Sequence, residues 1–188
     1  MSFSHEAHDW VEAGLAELGR AGIEGVRVEV LATRLGVTKG GFYRRFKDRR
    51  ALLDAMLETW ATGRIDVIAH QAALNGETPG GRLRQIVRLF SERLNPQGIA
   101  VELAVRQWAR TDTSASDATA RVDAARMKAV AQLYRGLGWS AAEAEARAML
   151  FYGFIFGEGL IFLEQSPRKR AGLLAACANA LSAPPGDG

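Results

Sequence analysis

The chain has 188 residues, 48% of them apolar and 24% charged, which is enough for a hydrophobic core and argues against disorder. Its single cysteine, Cys177, excludes an internal disulfide and a cysteine-based metal site. The net charge of +3 is unevenly spread: residues 1–19 carry four carboxylates and no Lys or Arg, whereas residues 20–50 carry nine basic and three acidic residues, the electrostatic footprint of a nucleic-acid contact.

The N-terminal stretch Met1 to Leu18 has no basic segment followed by an apolar one, so it does not read as a signal peptide. Trp10, Val11, Gly14, Leu15 and Leu18 follow the helical period and predict a first helix over 5–21. Gly22 to Gly25 ends it. Val28, Leu31, Ala32 and Leu35 predict a second helix over 28–35, stopped by Gly36 in the left-handed conformation. A third helix is expected over 39–46. Asp48 is placed to cap a long fourth helix, 48–74, whose apolar face is Leu52, Leu53, Met56, Leu57 and Trp60.

Asn75 to Gly81 reads as a linker, with Thr78 and Pro79 as cap and first residue of a fifth helix, 79–94. A turn at Asn95 to Gly98 leads to a sixth helix, 98–110. A polar loop, Thr111 to Ser116, leads to a seventh, 114–136, ended by Gly136 to Gly138. Ser140 and Glu143 form a capping box that opens an eighth helix, 141–165. Ser166 and Pro167 open a ninth, 168–182. The stretch Ala148 to Leu163 is about four residues short of a membrane span and contains Glu158, so it reads as a buried helix and the protein as cytoplasmic. No segment alternates like a strand. The expected fold is all-α with about nine helices. An N-terminal three-helix domain (1–47) precedes a helical domain (48–188), and helix 48–74 connects them.

The segment from Val28 to Phe46 carries the clearest chemistry. Val28, Leu31, Ala32 and Leu35 give the second helix a buried face. Gly36 permits a tight turn, and Val37 is expected to point back into the small core. Thr38 is placed to cap the third helix, whose N-terminus then faces an anion. Phe42 and Phe46, four apart, face inward and leave Lys39, Tyr43, Arg44 and Arg45 outside. Two short helices joined by a glycine turn fit a DNA-binding helix-turn-helix. Gly40 and Gly41 each cost a helix about 1 kcal/mol relative to Ala. Close approach of backbone to the major groove is the functional reason to keep them.

Residues 25–53, GVRVEVLATRLGVTKGGFYRRFKDRRALL, resemble the DNA-binding signature of the TetR family of repressors. The likeness rests on the Gly-Val-Thr turn, the Phe-Tyr pair, Phe46 closing the third helix and the capped basic start of the fourth. It implies phosphate contacts from Thr38, Tyr43, Arg45 and Arg49, and base contacts from Lys39 and Arg44. Gly40 and Gly41 would pack against the groove, and Arg27 and Glu29 would sit where the family contacts backbone or bases. The chain departs from the family pattern at Arg27 and Val28, where Thr or Ser is usual, at Arg45 (often His) and at Arg49 (usually Lys). Val28 cannot cap the second helix.

A single small reader makes too few contacts for tight specific binding, and two-fold dimers are the usual remedy. Gly153 and Gly157 on the eighth helix, near Gly159, with Leu173 and Leu174 on the ninth, mark the expected dimer surface; the resemblance implies a four-helix bundle made with a second copy. It also implies a small-molecule effector within the helical domain. The candidate lining is Trp60, Phe90, Trp108, Phe151, Tyr152, Phe154 and Phe156, with Arg106 and Glu158 as charges in apolar runs. Core packing explains the same aromatics. No nucleophile elbow, metal-ligand cluster or phosphate-binding glycine loop is present, so an enzyme is not expected, nor a cofactor or metal. The expected function is a DNA-binding transcriptional regulator, a repressor released from a palindromic operator by an effector. The alternative is a DNA-binding protein of the same fold without a ligand switch.

Overall fold

The computed structural model describes residues 2–73, 78–91, 96–158, 161 and 164–185. Among them are nine α-helices and no strand: α1 (Ser2–Ala21), α2 (Val28–Leu35), α3 (Lys39–Tyr43), α4 (Arg49–Ala73), α5 (Pro79–Ser91), α6 (Pro96–Trp108), α7 (Thr113–Gly136), α8 (Ala141–Gly157) and α9 (Pro167–Leu181), with a 3-10 turn at Ile23–Gly25. Four of the expected caps form. Asp48 Oδ1 accepts from Ala51 N at 2.9 Å and Thr78 Oγ from Gly81 N at 3.1 Å. Ser140 and Glu143 close a capping box, and Ser166 Oγ accepts from Lys169 N.

Among the boundaries that differ from the sequence reading, three have a local reason. α3 is five residues long, because the chain leaves the helix after Tyr43 and Phe46 packs from a turn. α6 begins at Pro96, inside the expected Asn95–Gly98 turn, since proline is well suited to a first helical position. α8 ends at Gly157 rather than 165; Ile161, Glu164 and Gln165 are not helical, and Gly159 lies outside the described residues.

Two compact units form: one comprises 1–66 with 95–123, the other 67–94 with 124–188. In the first, α1 packs on α2 and α6. Leu18, Val26, Leu31, Phe42, Leu52, Met56 and Val105 are fully buried there. A Cβ at Gly14 would lie 2.6 Å from Met56 Sδ, so that glycine permits the close approach of α1 to α4.

In the second unit, α5, α7 and α8 bury Leu83, Val87, Val130, Tyr134, Ala144, Ala148, Phe151 and Ile155. On α8 the buried residues fall at i, i+4, i+7 and i+11, one helical stripe. α9 buries no residue completely. Its C-terminal end is tied down by three hydrogen bonds: Tyr134 Oη to Leu181 O at 2.6 Å, Arg84 Nη1 to Ser182 Oγ at 3.0 Å and Trp139 Nε1 to Ala183 O at 3.3 Å. Burial pushes the Tyr134 phenol up to about 12. A raised phenol pKa means that folding favours the neutral form. Its contribution is therefore complete below pH 10 and is lost as the pH rises toward 12. Wild type should lose roughly 2–3 kcal/mol across that window relative to Tyr134→Phe. Urea denaturation at stepped pH measures this, and parallel stability curves for the two proteins would refute it.

Candidate nucleic-acid interface

The basic segment folds as two short helices on a buried scaffold. Gly36 ends α2 with φ 68° and ψ 27°, the left-handed stop the sequence calls for, and its amide donates back to the carbonyls of Ala32 and Thr33. Phe42 is fully buried between Trp10, 5.3 Å away edge-on, and Phe46, stacked at 5.5 Å. This aromatic cluster compensates for the weak Gly40–Gly41 helix by anchoring it from behind. A Cβ at Gly41 would meet nothing within 4 Å, and one at Gly40 only Thr38 Oγ1 at 3.6 Å. Among the described residues, nothing requires glycine at either position.

Lys39, Tyr43 and Arg44 lie exposed on and just after α3, with Arg45 half-buried beside them. Tyr43 is 62% exposed although it packs edge-on against Phe42, so its hydroxyl stands free of the scaffold. Two details depart from expectation. Val37 does not return to the core but is 48% exposed at the turn. Thr38 occupies the N-cap position of α3 without a side-chain cap bond; its carbonyl accepts from Gly41 N instead.

The charges are more committed than the sequence count implies. Lys39 Nζ pairs with Glu29 Oε1 at 2.7 Å, and the ammonium holds the Glu29 carboxyl below its ordinary value. Arg49 donates from Nε to Val26 O at 2.7 Å and from Nη2 to Ile23 O at 2.8 Å, bracing the start of α4 against the turn before α2. Arg50 is held by Asp54 and Asp112. Arg27 is exposed at the N-cap of α2, with no side-chain cap bond.

The residue that sequence reasoning missed is Glu17. It is 1% exposed and lies seven residues after Trp10 on the buried face of α1. Arg20 Nη2 reaches its Oε1 at 2.5 Å and Arg34 Nη2 its Oε2 at 2.7 Å, so one carboxylate joins α1 to α2. A carboxylate on an apolar stripe, with an arginine on the next helix, was the available signal.

The expected effector residues are divided between the two units. Trp60, Arg106 and Trp108 belong to the first unit; Phe90, Phe151, Tyr152, Phe154 and Glu158 belong to the second. Arg106 is engaged in ion pairs with Glu102 at 2.9 Å and Asp123 at 2.5 Å. Trp108 is buried and hydrogen-bonds Asp112. Trp60 is buried with no partner for its Nε1. Phe151 is core, and Phe90 and Tyr152 pack against Phe156. Phe154 and Glu158 line a cavity of about 230 Å³ between α8 and α9, where Glu158 accepts from Arg170 Nη2 at 2.6 Å. Gly153 and Gly157 face open space, as glycines on an unoccupied helix face do, and Leu173 is 45% exposed; Leu174 is half-buried.

Described residues whose regular structure is helical throughout, with a scaffolded helix-turn-helix that presents exposed basic residues on and just after its second helix, have the architecture of a DNA-binding transcriptional regulator. The chain matches, over residues 11–56, the family model described as bacterial regulatory proteins, tetR family. It is 31% identical over 106 residues to the HTH-type transcriptional repressor KstR of Mycolicibacterium smegmatis, a match covering 56% of this chain and 52% of the repressor. This chain thus spans about half the length of the curated relative it matches. Among solved structures, the reduced form of Escherichia coli NemR superposes with TM-score 0.71 at 14% identity, covering 97% of this chain and 100% of NemR. A protein described as a transcriptional regulator from Saccharomonospora viridis, in complex with choline, gives TM-score 0.75 at 16% identity, covering 94% and 95%. At such identities the two structures establish a shared fold. No helix among the described residues is long and apolar enough to cross a membrane.

Glu17→Ala should destabilise the protein by about 2 kcal/mol, less than the ~3–5 kcal/mol of a fully buried pair because Arg20 and Arg34 reach solvent. The hydrogen bond from Arg20 holds the Glu17 carboxyl below its ordinary value. Its contribution is then present at neutral pH and fades as the pH falls through the acidic range, where variant and wild type should converge. Equal urea midpoints at pH 7 would contradict this.

Proposed function

We propose that the chain is a DNA-binding transcriptional repressor that acts as a homodimer on a two-fold operator and is released by a small-molecule effector. The observation that carries the reading is the exposed set Lys39, Tyr43 and Arg44 on and just after the second helix of a helix-turn-helix, held from behind by Trp10, Phe42 and Phe46. In that reading Tyr43, Arg45 and Thr38 contact phosphates and provide most of the affinity, while Lys39 and Arg44 read base edges. Gly40 and Gly41, with open space where side chains would be, let the backbone reach the groove. Arg27 is free to reach a phosphate beside α2. Arg49 acts chiefly as a brace, and Glu29 leaves Lys39 for solvent when Lys39 meets a base. Repression is supported by the likeness to a transcriptional repressor. The family likeness gives no reason to assign an enzyme.

Dimerisation is supported by the apolar face of α8 and α9. Met149 and Leu150 are 64% and 66% exposed, Gly153 is open beside them, and Leu173 is exposed on α9. Apolar side chains of this size grouped on one surface mark an interaction site. The wild type should scatter light as twice the 20.4 kDa chain at micromolar concentration, and Met149→Glu/Leu150→Glu as a monomer. A monomeric wild type would overturn the dimer. The inducible reading is favoured over a switchless DNA-binding protein by ligand-sized space in the second unit, about 480 Å³ in its larger cavity.

Selection from a random duplex library should enrich a two-fold symmetric site. On that site Tyr43→Ala/Arg45→Ala should lower affinity at least about a hundredfold in fluorescence anisotropy and flatten the salt dependence. Lys39→Ala should instead change the enriched sequence. Unchanged binding by a folded double variant would sink the assignment.

A further inference from the structure

We propose that Val37 reads a thymine in the major groove, by packing its side chain against the C5-methyl group of that base. The inference deepens the DNA-binding reading above and rests on it. Among residues 28–46, the large apolar side chains left exposed are Val37, at 48%, and Tyr43. Tyr43 ends in a hydroxyl and packs edge-on against Phe42. Val37 is wholly apolar, and its exposure calls for a partner of the same kind.

The backbone at Val37 is held. Val37 N donates to Ala32 O at 3.0 Å and Gly36 N to Thr33 O at 3.2 Å, the paired bonds of a Schellman stop. Thr38 then runs extended, with φ −84° and ψ 157°, into the N-cap of α3. Val37 therefore stands where the chain passes from α2 to α3. In a helix-turn-helix the N-terminal residues of the second helix are those that contact base edges. The turn that follows adds no bulk around it. A Cβ at Gly41 would meet nothing within 4 Å, and one at Gly40 only Thr38 Oγ1 at 3.6 Å. The start of α3 can thus come close to a base pair, and Val37 is the one large apolar side chain in residues 36–41 that can meet it.

Base chemistry selects the partner. Val37 has neither donor nor acceptor in its side chain, so it cannot satisfy a polar base edge. Thymine alone among the four bases presents an apolar group in the major groove. Cytosine in its place lacks the methyl and turns an N4 amino group toward a side chain that cannot accept its hydrogen. A single exposed valine is ordinary on a protein surface. This one precedes the exposed Lys39 by two residues, on a face whose charge draws in nucleic acid. A protein partner is the poorer fit, because Val37 and Tyr43 supply little of the roughly 800 Å² that each side of a stable interface buries.

The test removes one methyl group at a time. On the site selected from the random library, each thymine is replaced singly by deoxyuridine, which lacks only the C5-methyl, and affinity is read by fluorescence anisotropy. One thymine of a half-site should show a loss of about fourfold with wild type, the effect of one buried methyl group. Val37→Ala should lose about as much on the thymine site and nothing further on the deoxyuridine site, so that the two changes are not additive. Its salt dependence should match that of wild type, since a valine releases no counter-ion. Val37→Ser, a second variant, should behave as Val37→Ala, and both should keep their helical circular dichroism. A selected site without thymine, a flat thymine scan, or a methyl effect that persists in full in both folded variants would overturn the contact. Each would leave the DNA-binding reading intact so long as Tyr43→Ala/Arg45→Ala loses affinity. Selection of no site at all would overturn both.

Discussion

The buried carboxylate of Glu17 is the interaction on which the geometry of the reader depends. A charge taken out of water is tolerated only when it is paired and hydrogen-bonded, so Glu17 fixes where Arg34 of α2 and Arg20 of α1 must lie. Gly25 lies against the same group: a Cβ there would come within 3.2 Å of Glu17 Oε1 and 2.6 Å of Ala21 Cβ. The turn at Ile23–Gly25 is thereby pressed onto α1. Arg49 then reaches back from α4 to the carbonyls of Ile23 and Val26. α1, the turn, α2 and the start of α4 thus become one rigid frame. α3, too short and too rich in glycine to be stable alone, is held in that frame by Phe42 and Phe46.

This frame changes the meaning of the basic segment. Nine cations between residues 20 and 50 suggest a broad positive face. Arg20, Arg34, Arg49 and Arg50 are occupied in holding the unit together. The exposed face is narrower, centred on Lys39, Tyr43 and Arg44 with Arg27 beside it. Lys39 carries its own counter-ion in Glu29 at 2.7 Å. An exposed pair of this kind contributes little to stability, so exchanging it for a base edge costs little.

Much of this was legible in the sequence, for identifiable reasons. Helix existence followed from the spacing of Leu31, Ala32, Leu35, Leu52, Leu53 and Met56. The caps at Asp48, Thr78, Ser140 and Ser166 followed from residue types that hydrogen-bond their own backbone. The inward pair Phe42 and Phe46 was legible from its spacing of four. What escaped depends on tertiary partners. Val37 is apolar and next to a turn, and periodicity alone sent it inward; only the path of the chain after Gly36 leaves it exposed. The end of α8 at Gly157 was hidden because the apolar run continues to Leu163. Arg49 reads as a DNA contact from its position, yet its fork finds two carbonyls of the preceding turn. Arg106 and Trp108 stand out in the sequence for a charge and a large ring in an apolar helix. Asp123 and Asp112, their partners, become visible only once α7 is placed.

The two compact units are stabilised differently, and this bears on how binding would respond to solution conditions. The first is laced with ion pairs: Glu17 with two arginines, Glu102 and Asp123 with Arg106, Asp112 with Arg50. Glu17 and Glu102 are 1% and 3% exposed, so salt screens their pairs far less than it screens charges standing in water. The second is held by the apolar core of α5, α7 and α8 and by aromatic contacts such as Arg147 over Trp139 at 3.3 Å. Neither set of interactions weakens steeply between low and physiological salt. The proposed contacts from Tyr43 and Arg45 to phosphates would weaken steeply, because bound counter-ions are released only at that surface. A strong salt dependence of DNA affinity in this protein therefore reports the contact face itself and not loosening of the frame behind it.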